Sequence, residues 1–306
     1  MKKAIIYLVI TLLIFSSCKN AKQPEEKNSQ TKAFSSDTLV SKNGYSEVNG
    51  IKMYYEIYGQ GKPLVLLHGG GSTIQTTFGR VIPILAKNRQ LICVELQAHG
   101  RTGDRNTEIS FEQDADDVGA LLHNLNISKT DIFGFSNGGM TAVQIAIRHP
   151  EICNKIIAGS VLLKRNGTSP QFWEFMKKGT FAQMPQQYKD AFLNVNPDST
   201  KLMNLYQKCS NRMNNFKDFP DKQLKSIKSP VLFISGDKDV GSPEHMVAMS
   251  RLIPNGRLAI VPGGHGEYIG EITAVKLNLK EIDFVVSMID EFLKKKNALD
   301  DLVVRT

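Results

Sequence analysis

Short apolar runs separated by segments of helical periodicity dominate the chain from Gly44 onward. Leu64 to Leu67, Leu91 to Val94, Asp131 to Phe133, Lys155 to Ala158, Val231 to Ile234 and Leu258 to Val261 are four-residue or shorter blocks of the buried-strand kind. Between them, Phe111, Ala115, Val118, Leu122 and Leu125 recur on one helical face, behind a capping box predicted from Ser110 and Gln113. A second helix is predicted from Asn137 to Pro150, and a last one carries Ile282, Val285, Ile289 and Leu293. Tyr45 to Tyr58, broken by Asn49-Gly50, predicts an antiparallel hairpin at the sheet edge. The alternation specifies an α/β fold: a mostly parallel, doubly wound sheet with helices on both faces.

The rhythm breaks once. Residues 163–226 hold no convincing strand, yet carry Trp173 and a series of Phe, Tyr and Met residues in helical surroundings. A helical cap inserted over the C-terminal edge of the sheet is expected there. The organisation predicted is a core in two parts, 44–162 and 227–295, interrupted by the cap at 163–226 and followed by a tail at 296–306.

The N-terminal segment follows a different pattern. Lys2 and Lys3 precede an apolar run from Ala4 to Phe15, too short for an ordinary membrane span and suited to a signal peptide over residues 1–17. Phe15-Ser16-Ser17-Cys18 resembles the lipobox of bacterial lipoproteins, although Phe15 stands where Leu is usual. That resemblance implies lipidation at Cys18 and an exported, membrane-anchored protein on the periplasmic or cell-surface side. Residues 18–43 are polar, as expected of a flexible tether. Cys93, Cys153 and Cys209 then remain; Cys93 is expected to be buried in a strand, and the pairing of the others is open.

The net charge of +8 is concentrated: residues 163–228 hold twelve Lys/Arg and five Asp/Glu. No recognisable nucleic-acid module accompanies the excess, so a nucleic-acid partner is not expected. An anionic substrate under the cap is the other reading of that charge, against the simpler one of a solvated face.

Three loops carry chemistry. Gly134-Phe135-Ser136-Asn137-Gly138 fits G-x-S-x-G between a predicted strand and a predicted helix, the setting in which a sharp turn exposes a nucleophilic serine. Serine needs a base, and the base needs an orienting acid. Ser235-Gly236-Asp237-Lys238-Asp239 and Pro262-Gly263-Gly264-His265-Gly266 both follow strands, where ligand-binding loops of doubly wound sheets lie. His265 is the candidate base. Asp239 and Asp237 both remain candidates for the acid on residue type alone.

With these loops in the order Ser, Asp, His, residues 44–295 resemble the α/β-hydrolase fold superfamily. The resemblance implies Ser136 as nucleophile, His265 as base and Asp239 as acid, the last by a G-x-x-D pattern that leaves Asp237 as a turn residue. It also implies an oxyanion hole from the Asn137 N–H and the His68-Gly69-Gly70-Gly71 turn, with Gly70 preferred and Gly71 possible. Glu95 to Arg101 resembles the family's D-x-x-G-H-G-x segment, departing at Glu95 and Ala98, and is expected to be structural, as are His68 and His99.

What the resemblance implies is a carboxylesterase-like serine hydrolase acting on a small acyl substrate, with no metal or organic cofactor. Carbon-carbon bond hydrolases and lactonases share the same triad. Serine in place of Asp argues against haloalkane dehalogenases and epoxide hydrolases. A ligand- or partner-binding scaffold without turnover is the remote alternative.

Overall fold

The computed structural model describes residues 40–295. The signal peptide, Cys18, the tether up to residue 39 and the tail at 296–306 lie outside the described residues. Eight strands form one sheet in the spatial order β1-β2-β4-β3-β5-β6-β7-β8. β1 (Val40–Val48) and β2 (Ile51–Tyr58) make the antiparallel hairpin. Asn49 and Gly50 both adopt positive φ, 44° and 86°, as a tight turn that matches strand twist requires. Residues 40–43 therefore belong to the sheet and shorten the expected tether.

β2 pairs antiparallel with β4 (Arg89–Val94), and every later pairing is parallel, through β3 (Lys62–Leu67), β5 (Thr130–Phe135), β6 (Cys153–Gly159), β7 (Val231–Gly236) and β8 (Gly256–Val261). β5 and β7 are buried along their whole length, so the runs Ile132 to Phe135 and Val231 to Ile234 are apolar or small rather than alternating, while Asp131 of β5 is met by Arg89 at 2.9 Å. The alternation survives in three dimensions: Val65 and Leu67 join the core on one face, Leu64 and Leu66 the core on the other.

One face is covered by α3 (Phe111–Asn124) and α4 (Asn137–Arg148), the other by α1 (Ile74–Phe78), α2 (Ile82–Leu85) and α10 (Leu279–Lys294). Ser110 caps α3 by accepting the Gln113 N–H at 3.0 Å. The return half of the predicted capping box is missing, because the Gln113 side chain donates instead to Asp117 at 2.9 Å.

Four helices stand between β6 and β7: α5 (Pro170–Lys178), α6 (Gln186–Val195), α7 (Ser199–Asn214) and α8 (Asp221–Lys225). α9 (Pro243–Leu252), between β7 and β8, completes the order. The insertion is pinned to the core where Phe219 packs on Phe111 of α3 with ring centroids 6.1 Å apart, and by Arg212 donating to buried Asp114 at 2.7 Å. α5 has no buried residue. Cys93 and Cys153 are buried and Cys209 half-buried, and all three are free thiols.

Candidate active site

The turn between β5 and α4 holds Ser136 at φ 53° and ψ −120°, a left-handed conformation that costs energy for a residue with a side chain. The packing around it explains why the flanking positions are glycine. A Cβ on Gly134 would lie 2.1 Å from the Gly138 carbonyl oxygen, and one on Gly138 would lie 2.1 Å from the Leu67 carbonyl oxygen. Only bare backbone fits, so β3, β5 and α4 converge tightly beneath the serine. The Ser136 N–H is held by the Gly159 carbonyl at 2.7 Å.

Asp239 and His265 meet. His265 Nδ1 lies 2.6 Å from Asp239 Oδ1, and the Asp239 side chain is fully buried. An Nδ1–H donating to the carboxylate leaves Nε2 as the acceptor nitrogen, the tautomer a general base needs. Burial works against the Asp239 charge, but the hydrogen bond and charge of His265, with Ser160 and the Val240 N–H, outweigh it and hold the pKa below its usual value. Burial likewise works against the His265 cation, yet Asp239 and then Glu271 raise its pKa above the ordinary value.

Asp237 is placed elsewhere. It is exposed and accepts the Gly263 N–H at 2.8 Å, which joins the two loops without touching the imidazole.

The two oxyanion candidates adjoin one another: a Cβ on Gly70 would fall 2.3 Å from Asn137 Nδ2. Asn137 opens α4, so its N–H has no acceptor within the helix. Gly71 differs, because its N–H donates to His99 Nε2 at 3.1 Å. That leaves Gly70 as the oxyanion candidate of this turn. His68 and His99 hold the surrounding loops, with rings 4.7 Å apart, His68 Nε2 accepting the Leu96 N–H and His99 Nδ1 facing the Gln97 carbonyl. Both are buried, which lowers the His68 pKa to about 4 and that of His99 well below its usual value.

Buried Glu95 and half-buried Arg101 form an ion pair at 2.8 Å, with the Arg101 guanidinium over the Tyr54 ring. Their segment lines no part of the serine's cavity, which measures about 400 Å³ and takes in Ser136, Gly70, Asn137 and His265. Its remaining wall comes mostly from the insertion.

The model of the α/β hydrolase fold matches residues 62–220. The chain belongs to this family. A human serine hydrolase, BPHL, is 25% identical over 232 residues, covering 71% of this hydrolase and 77% of the human protein. The 2-hydroxy-6-oxo-6-(2'-aminophenyl)hexa-2,4-dienoic acid hydrolase of Metapseudomonas resinovorans is 27% identical over 116 residues. That match spans 37% of this chain and only 40% of the relative. Among solved structures, the 2-hydroxy-6-oxo-6-phenylhexa-2,4-dienoate hydrolase of Rhodococcus sp. strain RHA1 superposes with a TM-score of 0.68 at 17% identity, over 83% of this chain and 99% of that one. Carboxylesterase CesB of Bacillus subtilis superposes at 0.64 and 18% identity, over 84% and 92%. These likenesses show the fold.

Three side chains of this hydrolase's site escaped the sequence reading. Ser160, at φ 52° just past β6, donates to Asp239 Oδ2 at 2.6 Å and stands 2.9 Å from the buried Tyr268 hydroxyl. Glu271, 2% exposed, accepts the Tyr188 hydroxyl of α6 at 2.8 Å. Its backbone N–H closes onto the Gly266 carbonyl, one residue past the base. The only signal available was that Tyr268 and Glu271 follow His265 closely.

Proposed function

We propose that this hydrolase is a serine enzyme that cleaves a carboxylic ester or related acyl substrate through an acyl-enzyme. The observation that carries the reading is the 2.6 Å contact between His265 Nδ1 and Asp239, in a site where His265 and the elbow serine share one cavity. In this reading His265 Nε2 takes the Ser136 hydroxyl proton as Oγ attacks the carbonyl, and Asp239 stabilises the imidazolium. The oxyanion accepts the Gly70 and Asn137 N–H groups, each such donor contributing about 3 kcal/mol of transition-state stabilisation. His265 then protonates the leaving alcohol, and water, activated by the same imidazole, releases the acid. The insertion acts as a cap that shapes the acyl site.

The test is labelling with a fluorophosphonate probe, expected for the wild type and absent for Ser136→Ala. A folded wild type that stays unlabelled refutes the triad. The dienoic acid hydrolases among the similar proteins support cleavage of a carbon-carbon bond by the same triad as the second reading. Faster turnover of a vinylogous diketone than of a short p-nitrophenyl ester would favour it. The signal-like segment and Cys18 support a further proposal, an exported enzyme anchored to a membrane by lipid. Cys18→Ala then moves the protein out of the membrane fraction, and unchanged fractionation removes the anchor.

A further inference from the structure

Resting on the serine-hydrolase reading, we propose that the acyl site selects an uncharged, apolar acyl chain and rejects one that carries a carboxylate. The cavity takes Met140 from α4, Met176 from α5, Met213 from α7 and Met184 from the turn before α6, with Phe172 and Phe175 beside them. Thioether side chains are flexible and polarisable, so this wall adapts to chains of different length rather than fitting one rigid ring.

The charge of the insertion does not reach it. No Lys or Arg lines the cavity among the described residues, although the inserted segment holds most of the basic excess. The geometry of α7 explains this. Cys209 and Met213, four residues apart, line the cavity, while Lys208 and Arg212, also four apart, sit on the adjoining face. Lys208 is consumed there by both Asp104 carboxylate oxygens and by the Arg105 and Thr107 carbonyls. Arg212 Nη1 donates to Asp114 and its guanidinium lies over the Phe111 ring, while Nε and Nη2 have no hydrogen-bond partner among the described residues. Lys164 is tied to Asp221, and Arg165 lies over Trp173.

Two fixed negative charges stand close to the cavity. Asp239 stands behind His265, and buried Glu271 holds the hydroxyl of the cavity-lining Tyr188. A carboxylate entering this cavity would lose its hydration and meet no Lys or Arg among the lining residues. Of the two readings of the insertion's basic composition, the side-chain directions favour the solvated and core-paired one over an anionic substrate. The dienoic acid named for the Metapseudomonas relative carries such a carboxyl.

The experiment compares kcat/KM of the purified full chain on p-nitrophenyl hexanoate and on the mono-p-nitrophenyl ester of adipic acid, which has the same chain length and a terminal carboxylate. The neutral ester is expected to win by at least about 100-fold. Met176→Lys places a cation on α5, which has no fully buried residue, and is expected to raise turnover of the adipate ester selectively, with fluorophosphonate labelling verifying an intact site. Equal or faster turnover of the adipate ester by a wild type that labels at Ser136 overturns the proposal alone. A wild type that does not label overturns the serine-hydrolase reading, and this inference with it.

Discussion

Ser136, His265 and Asp239 are local in sequence only in the sense that each sits in its own glycine-containing loop, and each loop follows a strand. That regularity made them readable, because a parallel sheet brings the C-terminal ends of its strands to one edge. Ser160 and Glu271 were not readable for the opposite reason: nothing in their neighbours records a contact that forms only when β6, β7 and the insertion meet. Glu271 matters for the base. Its charge adds to that of Asp239 in raising the His265 pKa, so Glu271→Gln should lower that pKa and shift the acid limb of the kcat/KM profile to lower pH. Asp239, which makes the direct hydrogen bond, stays in place, so the high-pH plateau should fall much less than in Asp239→Asn, where loss of about 10³ to 10⁴-fold is expected from the wrong tautomer. A pH–rate profile of both variants checks this. An acid limb unmoved in Glu271→Gln would mean that its carboxylate serves only the Tyr188 and Thr273 hydrogen bonds.

At the scale of elements, long amphipathic helices and buried strands were legible because their periodicity is repeated many times. α1 and α2, five and four residues long, offer too few turns for a period to show. The α3 capping box teaches a subtler lesson. Ser110 and Gln113 have the right spacing, but Asp117 competes for the Gln113 amide from one turn further on, and Arg105 and Asn49 bind the same carboxylate oxygen. Ser110→Ala should therefore cost about 1 kcal/mol of stability through the lost cap. Gln113→Ala should leave the cap intact and cost less, since Asp117 keeps its other donors. Denaturant unfolding of the two variants orders them, and a larger loss for Gln113→Ala would contradict the observed bonding.

For the whole molecule, net charge is informative only through its distribution. The excess of +8 lies mostly in the insertion, where Lys208 and Arg212 fasten it to the core through Asp104 and Asp114. The same fastening involves the two buried histidines, since Cys209 of α7 lies 3.5 Å from His99 Nε2, which also accepts the Gly71 N–H of the oxyanion turn. Protonating His99 would remove that acceptor and release turn and insertion together. An unfolded imidazole takes its proton near pH 6.5, but folded His68 holds out to about 4. The stability it contributes is full above pH 6.5 and is lost as pH falls toward 4, about 3 kcal/mol in all. Glu95, raised to about 7, and His265, raised above its usual value, have the opposite slope, because the folded state holds their protons more tightly. The net acid dependence is therefore a poor probe of the pair, and the informative measurement is site-resolved. Imidazole ¹⁵N shifts should show His68 and His99 still neutral at pH 5.5, with Nδ1 protonated and Nε2 accepting from Leu96 and Gly71. A half-protonated His99 at that pH would mean that the Gly71 N–H of the oxyanion turn is held by something other than this imidazole.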